Sequence, residues 1–147
     1  MAVNTIHLGG EFRHFEALAN AELYPGHLLE MVTTTGKVKK STVQSGIIEA
    51  AVAVEDALQG HTVDDAYATA STVSYHIYQK GAECQVYLKA LQTVVKGDKL
   101  VPAGDGTLIK SGEEDSGDTP DVFAIAMEAL DLSDSDLDAT LLHVRIV

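Results

Sequence analysis

One pattern of apolar and polar positions occurs twice along the chain. Each copy has a short apolar run, a polar turn closed by glycine, and a second run of alternating character that ends in lysine. The first copy spans Gly26 to Lys39, with Leu28, Leu29, Met31 and Val32 before Gly36 and Val38 after it. The second spans Gly97 to Lys110, with Leu100 and Val101 before Gly104 and Gly106 and with Leu108 and Ile109 after them. Two-residue alternation turns one side of a strand toward a core, and glycine supplies the positive φ of tight turns. Both copies therefore predict β-hairpins, the first with Leu29, Met31 and Val38 on its buried face.

The remaining pattern is also mostly that of strands. Thr72 to Tyr78 is rich in β-branched and aromatic residues and is turned by Lys80-Gly81. Gln85 to Leu88, Val122 to Met127 and Leu141 to Val147 read as further strands, with Val94-Val95 leading into the second hairpin. The final strand is either pinned inside a sheet or open to a neighbour at its edge. Residues 1–22 read as an amino-terminal arm with a helix-compatible stretch at Phe12 to Ala21, ended by Tyr24-Pro25-Gly26. Residues 47–58 are ambiguous: Ile47, Ala51, Val54 and Leu58 form a helical stripe and the alanines favour a helix, whereas Val52 and Val54 suit a strand. Gly60 ends the element in either case, and Thr62 with Asp65 fits a capping arrangement or a plain turn. Gly112 to Pro120, acidic and nearly without apolar atoms, predicts an exposed, mobile loop. The fold class is mainly β, with paired hairpins and little helix, arranged as an arm over 1–22 and a β-rich domain over 23–147.

A chain of 147 residues with 46% hydrophobic content supports one core. Ten Lys and Arg against 22 Asp and Glu leave a net charge of −12, which repels a phosphate backbone and excludes nucleic acid as the expected partner. Cys84 is the sole cysteine, so no intrachain disulfide staples the fold. The first residues lack a secretory pattern and no run approaches the roughly 20 apolar residues of a bilayer span. Synthesis in the cytoplasm and no membrane partner are expected.

Candidate chemistry is thin. Asp131, Asp134, Asp136 and Asp138 are spaced like calcium ligands, but a loop begun at Asp134 has Ala139 where the turn needs glycine and Arg145 where a bidentate carboxylate belongs. A solvated acidic connection is expected there, with an adventitious surface cation as the lesser reading. His7, His14, His27, His61, His76 and His143 show no zinc-protease spacing and no accompanying cysteine pair. Activation of Cys84 by His76 across a hairpin competes with the commoner inert buried thiol. Gly9-Gly10 lacks a following Gly-Lys-Ser or Gly-Lys-Thr, and Gly104-Asp105-Gly106 sits in a hairpin without a helix to receive a phosphate. Asp64 and Asp65 are adjacent and diverge on any regular element. The expectation is a protein that is not an enzyme, with no catalytic residues, no metal site and no cofactor.

Several segments in order carry a resemblance: Glu49 to Gly60, Thr62 to Tyr67, Lys96 to Leu100, Ala103 to Leu108, a strand over Val122 to Ala129, and Val144-Arg145-Ile146. Across residues 24–147 the chain resembles the small capsid decoration, or cement, proteins of tailed bacteriophages. The resemblance implies a compact β-tulip-like domain on the outer surface of an icosahedral head, joined into homodimers or homotrimers over the seams between capsomers of the major capsid protein. It implies β structure over Glu49 to Val54 and carries no catalytic residues. The arm is the part least like the family. The expected contacts to shell or subunit are the first segment and the loop Thr33 to Lys37, while Gly26, Gly36, Gly97 and Gly106 are expected to support turns. The alternatives are a soluble self-associating β-rich ligand- or protein-binding module and a small hydrolase.

Overall fold

A computed structural model describes residues 5–44, 46–112 and 122–147. The strands are β1 (His7–Gly9), β2 (Phe12–Leu18), β3 (Leu29–Met31), β4 (Val38–Lys40), β5 (Ala51–Ala53), β6 (Thr72–Tyr78) and β7 (Glu83–Leu88). They continue as β8 (Thr93–Val94), β9 (Lys99–Pro102), β10 (Leu108–Lys110), β11 (Ala124–Ala126), β12 (Leu130–Asp131) and β13 (Thr140–Ile146). One short 3-10 turn, Ala57–Gln59, is closed by Gly60 at φ +76°. The fold is mainly β, as the alternation of apolar residues predicts.

Strands β7, β10, β9, β11 and β13 pair in that order, and β13 pairs back onto β7, closing a five-stranded barrel. The β7–β13 seam is the longest, running from Thr140 against Leu88 to Arg145 against Glu83. Alternation explains its interior: Leu142, Val144 and Ile146 point inward with Val86, Leu88, Leu100, Leu108 and Ala124, while Leu141, His143 and Arg145 point out. The terminal strand is pinned between two neighbours. Closure also leaves the barrel strands without a bare edge.

A second sheet, ordered β2-β6-β5, packs on the barrel, and the β3–β4 hairpin covers its far side. That hairpin and the β9–β10 hairpin are the two sequence repeats. They meet directly: Leu28 N–H donates to Gly106 O (2.8 Å), Gly106 N–H to Ser41 O (3.0 Å), and Ser41 N–H to Leu28 O (2.8 Å). The four turn glycines Gly26, Gly36, Gly97 and Gly106 all take positive φ.

Two readings are corrected and one left open is decided. Phe12 to Leu18 is not helical but a strand paired residue for residue with β6, from Phe12 against Tyr78 to Leu18 against Thr72. Residues 51–53 are β5, so the strand reading of the ambiguous segment holds and the helical stripe does not. Met31, expected in the core, is 57% exposed, because it lies beside the Val32–Lys37 turn and lines an open cleft, while Leu29 and Val38 on the same face reach the second core. The acidic loop expected over Gly112 to Pro120 lies outside the described residues from position 113 onward.

Candidate interaction surface

The surface that stands out is β2, because it spends apolar residues where they are not buried. Phe12, Phe15 and Leu18 remain 39%, 38% and 45% exposed on a strand with no fully buried residue. One face carries Phe12, His14, Glu16 and Leu18; the other carries Arg13, Phe15 and Ala17. Phe15 stacks on Tyr75 at 5.7 Å between centroids, and the Arg13 guanidinium lies 6.0 Å from the Phe15 ring.

The first face gathers three histidines that are far apart in the sequence. Phe12 stacks on His76 at 3.8 Å, and the rings of His7 and His14 lie 5.8 and 5.4 Å from His76. His76 Nδ1 is 3.3 Å from the Tyr78 hydroxyl, and His14 Nε2 is 3.7 Å from Glu16 Oε1. Burial, together with the neighbouring His14 and His7, lowers the His76 pKa to about 4, so the ring is neutral in the fold at physiological pH. With Glu16, Glu55 and Ser74 these rings line a cleft of about 280 Å³. Among the described residues no three His, Cys, Asp or Glu side chains are placed to hold a metal ion. Sequence spacing missed this cluster, since β1, β2 and β6 are brought together only by sheet pairing.

On the opposite side, Leu29, Met31, Val43, Ile47, Ile48 and Tyr75 line a cleft of about 270 Å³ rimmed by Glu30 and Glu49. A second cleft of about 240 Å³ continues past the same Ile47 and Ile48 to Phe123 and Val147. Ile47 itself is 83% exposed. The loop Thr33 to Lys37 is an exposed hairpin tip, held by Gly36 N–H on Val32 O at 2.8 Å.

The residues weighed for chemistry fall into structural positions. Cys84 is fully buried in the barrel core, and burial pushes its thiol up to about 12. The hairpin across which His76 would activate Cys84 does not form, because β6 and β7 belong to different sheets. Asp131 accepts from Ser133 N–H and Thr93 Oγ1, both at 2.9 Å, and the Ser133 side chain together with these two bonds lowers its pKa. Asp134 accepts from Asp136 N–H at 2.9 Å, so the acidic run organises its own turn. Asp65 accepts from Thr62 N–H at 2.7 Å while Asp64 N–H donates to Thr62 Oγ1, the capping arrangement without a helix. Gly10 and Gly104 turn the chain at φ +89° and +91°.

Neither a protein-family model nor a curated protein matches the chain by sequence. Among solved structures, the chain is similar to the crystal structure of the head fiber gp8.5 N base of bacteriophage phi29, with a TM-score of 0.57 and 17% sequence identity. The match covers 93% of this chain and 95% of that one, so the likeness runs along nearly the whole fold and is not confined to one motif. The fold is similar to that of this phage head-fibre base, in line with the resemblance to tailed-phage head proteins seen in the sequence.

Proposed function

We propose that this chain is a structural protein of a phage head, a decoration or cement protein that binds the outer surface of an icosahedral shell and bridges capsomers of the major capsid protein. The observation that carries the reading is the fold shared over 93% of the chain with the base of a phage head fibre. In this reading the protein is not an enzyme, takes no cofactor, binds neither nucleic acid nor membrane, and sits on the virion after synthesis in the host cytoplasm. Self-association as a homodimer or homotrimer belongs to the same proposal. Apolar groups left at the surface, such as Ile47 and the β2 aromatics, are suited to modest contacts, and many copies on a repeating shell make such contacts persistent.

The test is co-sedimentation of the purified protein with matching heads stripped of minor surface proteins, read as stoichiometry at saturation. A fixed number of copies per capsomer is the expected outcome. Absence of saturable binding overturns the proposal.

A further inference from the structure

The hydrogen-bond parity of β2 identifies which of its backbone groups are free. Gln79 N–H donates to Glu11 O at 3.0 Å, and Ala19 N–H donates to Ser71 O at 2.8 Å, just beyond the two ends of the β2–β6 register. Hydrogen-bonded pairs recur at every second residue of an antiparallel ladder. Arg13, Phe15 and Ala17 therefore direct their N–H and C=O toward β6, while Phe12, His14, Glu16 and Leu18 direct theirs outward. Among the described residues β4 reaches this outer edge at the parallel bridge of Ala19 with Val38, where Asn20 N–H donates to Val38 O at 2.8 Å and the second bond of the bridge takes the Leu18 carbonyl, so the free length of the edge runs over Phe12, His14 and Glu16. The strand carries none of the Lys or Pro residues that commonly protect an edge.

We propose that a second copy of this chain docks on this edge, β2 against β2, antiparallel about a two-fold axis through Phe15. Outward groups can bond only to outward groups, so each hydrogen-bonded couple must join two of Phe12, His14, Glu16 and Leu18. An axis through His14 places His14 against its own copy and Phe12 against Glu16. An axis through Glu16 sets two carboxylates face to face. The axis through Phe15 gives the matched arrangement: His14 faces Glu16 in the two complete hydrogen-bonded couples, Phe12 meets Leu18 as an apolar contact beside β4, and Phe15 faces Phe15. The incoming strand begins at Phe12, opposite Leu18, where β4 takes over, and the His14–Glu16 couples lie inside the free length. On a chain of net charge −12, whose copies otherwise repel, this register sets each Glu16 carboxylate opposite an imidazole that can donate to it and not opposite another carboxylate. The contact is isologous, so it closes at two copies. It does not depend on the phage-head reading.

Sedimentation velocity over a concentration series tests the proposal on the full chain. A two-copy species is expected. Glu16→Pro removes an outward N–H and spares the ladder to β6, so it should weaken association at least tenfold while keeping the monomer's circular dichroism. His14→Glu should do the same by setting carboxylate against carboxylate, and the double exchange H14E/E16H should restore association. Phe15→Cys should yield a disulfide-linked dimer on mild oxidation, since the two copies of residue 15 form a non-hydrogen-bonded pair and Cys84 is buried. A monomer at every concentration, a three-copy species, association indifferent to His14→Glu, or no cross-link through Phe15→Cys overturns it.

Discussion

Ala51 and Val52 are adjacent in β5 and both buried, yet they belong to different cores: Val52 is fully enclosed with the barrel residues, and Ala51 packs with Leu29, Val38 and Tyr75 in the second core. A strand with a core on each face has no room for large side chains on both. Val52→Ala should cost about 2 kcal/mol through an unfilled barrel cavity. Ala53→Leu should cost about 1–3 kcal/mol for the opposite reason, overpacking the second core. Denaturant unfolding of the two variants checks both.

Gly26 and Gly97 separate conformational strain from crowding. Both take positive φ, +99° and +98°, but a Cβ on Gly26 would lie 2.4 Å from Leu141 Cδ2, whereas one on Gly97 meets nothing within 4 Å. Gly97→Ala should cost about 1–2 kcal/mol and Gly26→Ala about 3 kcal/mol or more, with the thermal midpoint falling roughly 2–4 °C per kcal/mol.

Tyr67 donates its hydroxyl to Val54 O at 2.5 Å inside the fold. Tyr67→Phe removes the donor and leaves a buried carbonyl without it, for an expected loss of about 1–3 kcal/mol. Chemical denaturation reads the change without disturbing the apolar packing.

Acid should weaken the fold through His27 and His76. Burial, and for His27 also the Lys40 charge, lowers both pKa values from 6.5 to about 4, and His27 Nδ1 accepts from Tyr24 N–H at 3.0 Å, which fixes the neutral form. Between those values the unfolded chain binds the extra protons, so the stabilisation is complete above pH 6.5 and declines as pH falls toward 4. Each group contributes a slope of up to about 1.4 kcal/mol per pH unit in that window. Thermal midpoints from pH 7 to 4 should show the decline, and His76→Gln should flatten it.

Removing the amino-terminal segment should affect folding before any contact to a shell. Ile6 is fully buried in the barrel core, and its N–H donates to Glu55 Oε2 at 3.0 Å. Deleting residues 1–12 takes this anchor and β1 together, and Ile6→Ala alone should cost about 2–5 kcal/mol. Deleting residues 1–4 keeps Ile6 and is the variant whose occupancy on heads reports on contact.

The sequence carried what depends on period and turn chemistry. The repeated hairpins, the β6 strand, the terminal strand and the glycine turns follow from two-residue alternation bounded by Gly, and they place the chain among mainly β folds. Composition left one segment open where burial decides: alanines at 51 and 53 signal a helix in isolation, but β5 needs small residues because it is pressed between cores. The β2 segment carries no burial pattern at all, since nearly every residue in it is exposed.

Only tertiary structure decided the rest, because it rests on contacts between segments far apart in the chain. Closure of the barrel by β13 on β7 joins residues about sixty positions apart, as in the 2.7 Å contact between His143 and Glu83. The gathering of His7, His14 and His76, the burial of Cys84 and the free outer edge of β2 follow from which strand lies beside which. Alternation states that a strand has an inner face, but pairing partners are chosen by the packing of the whole, and that is where the candidate surface arises.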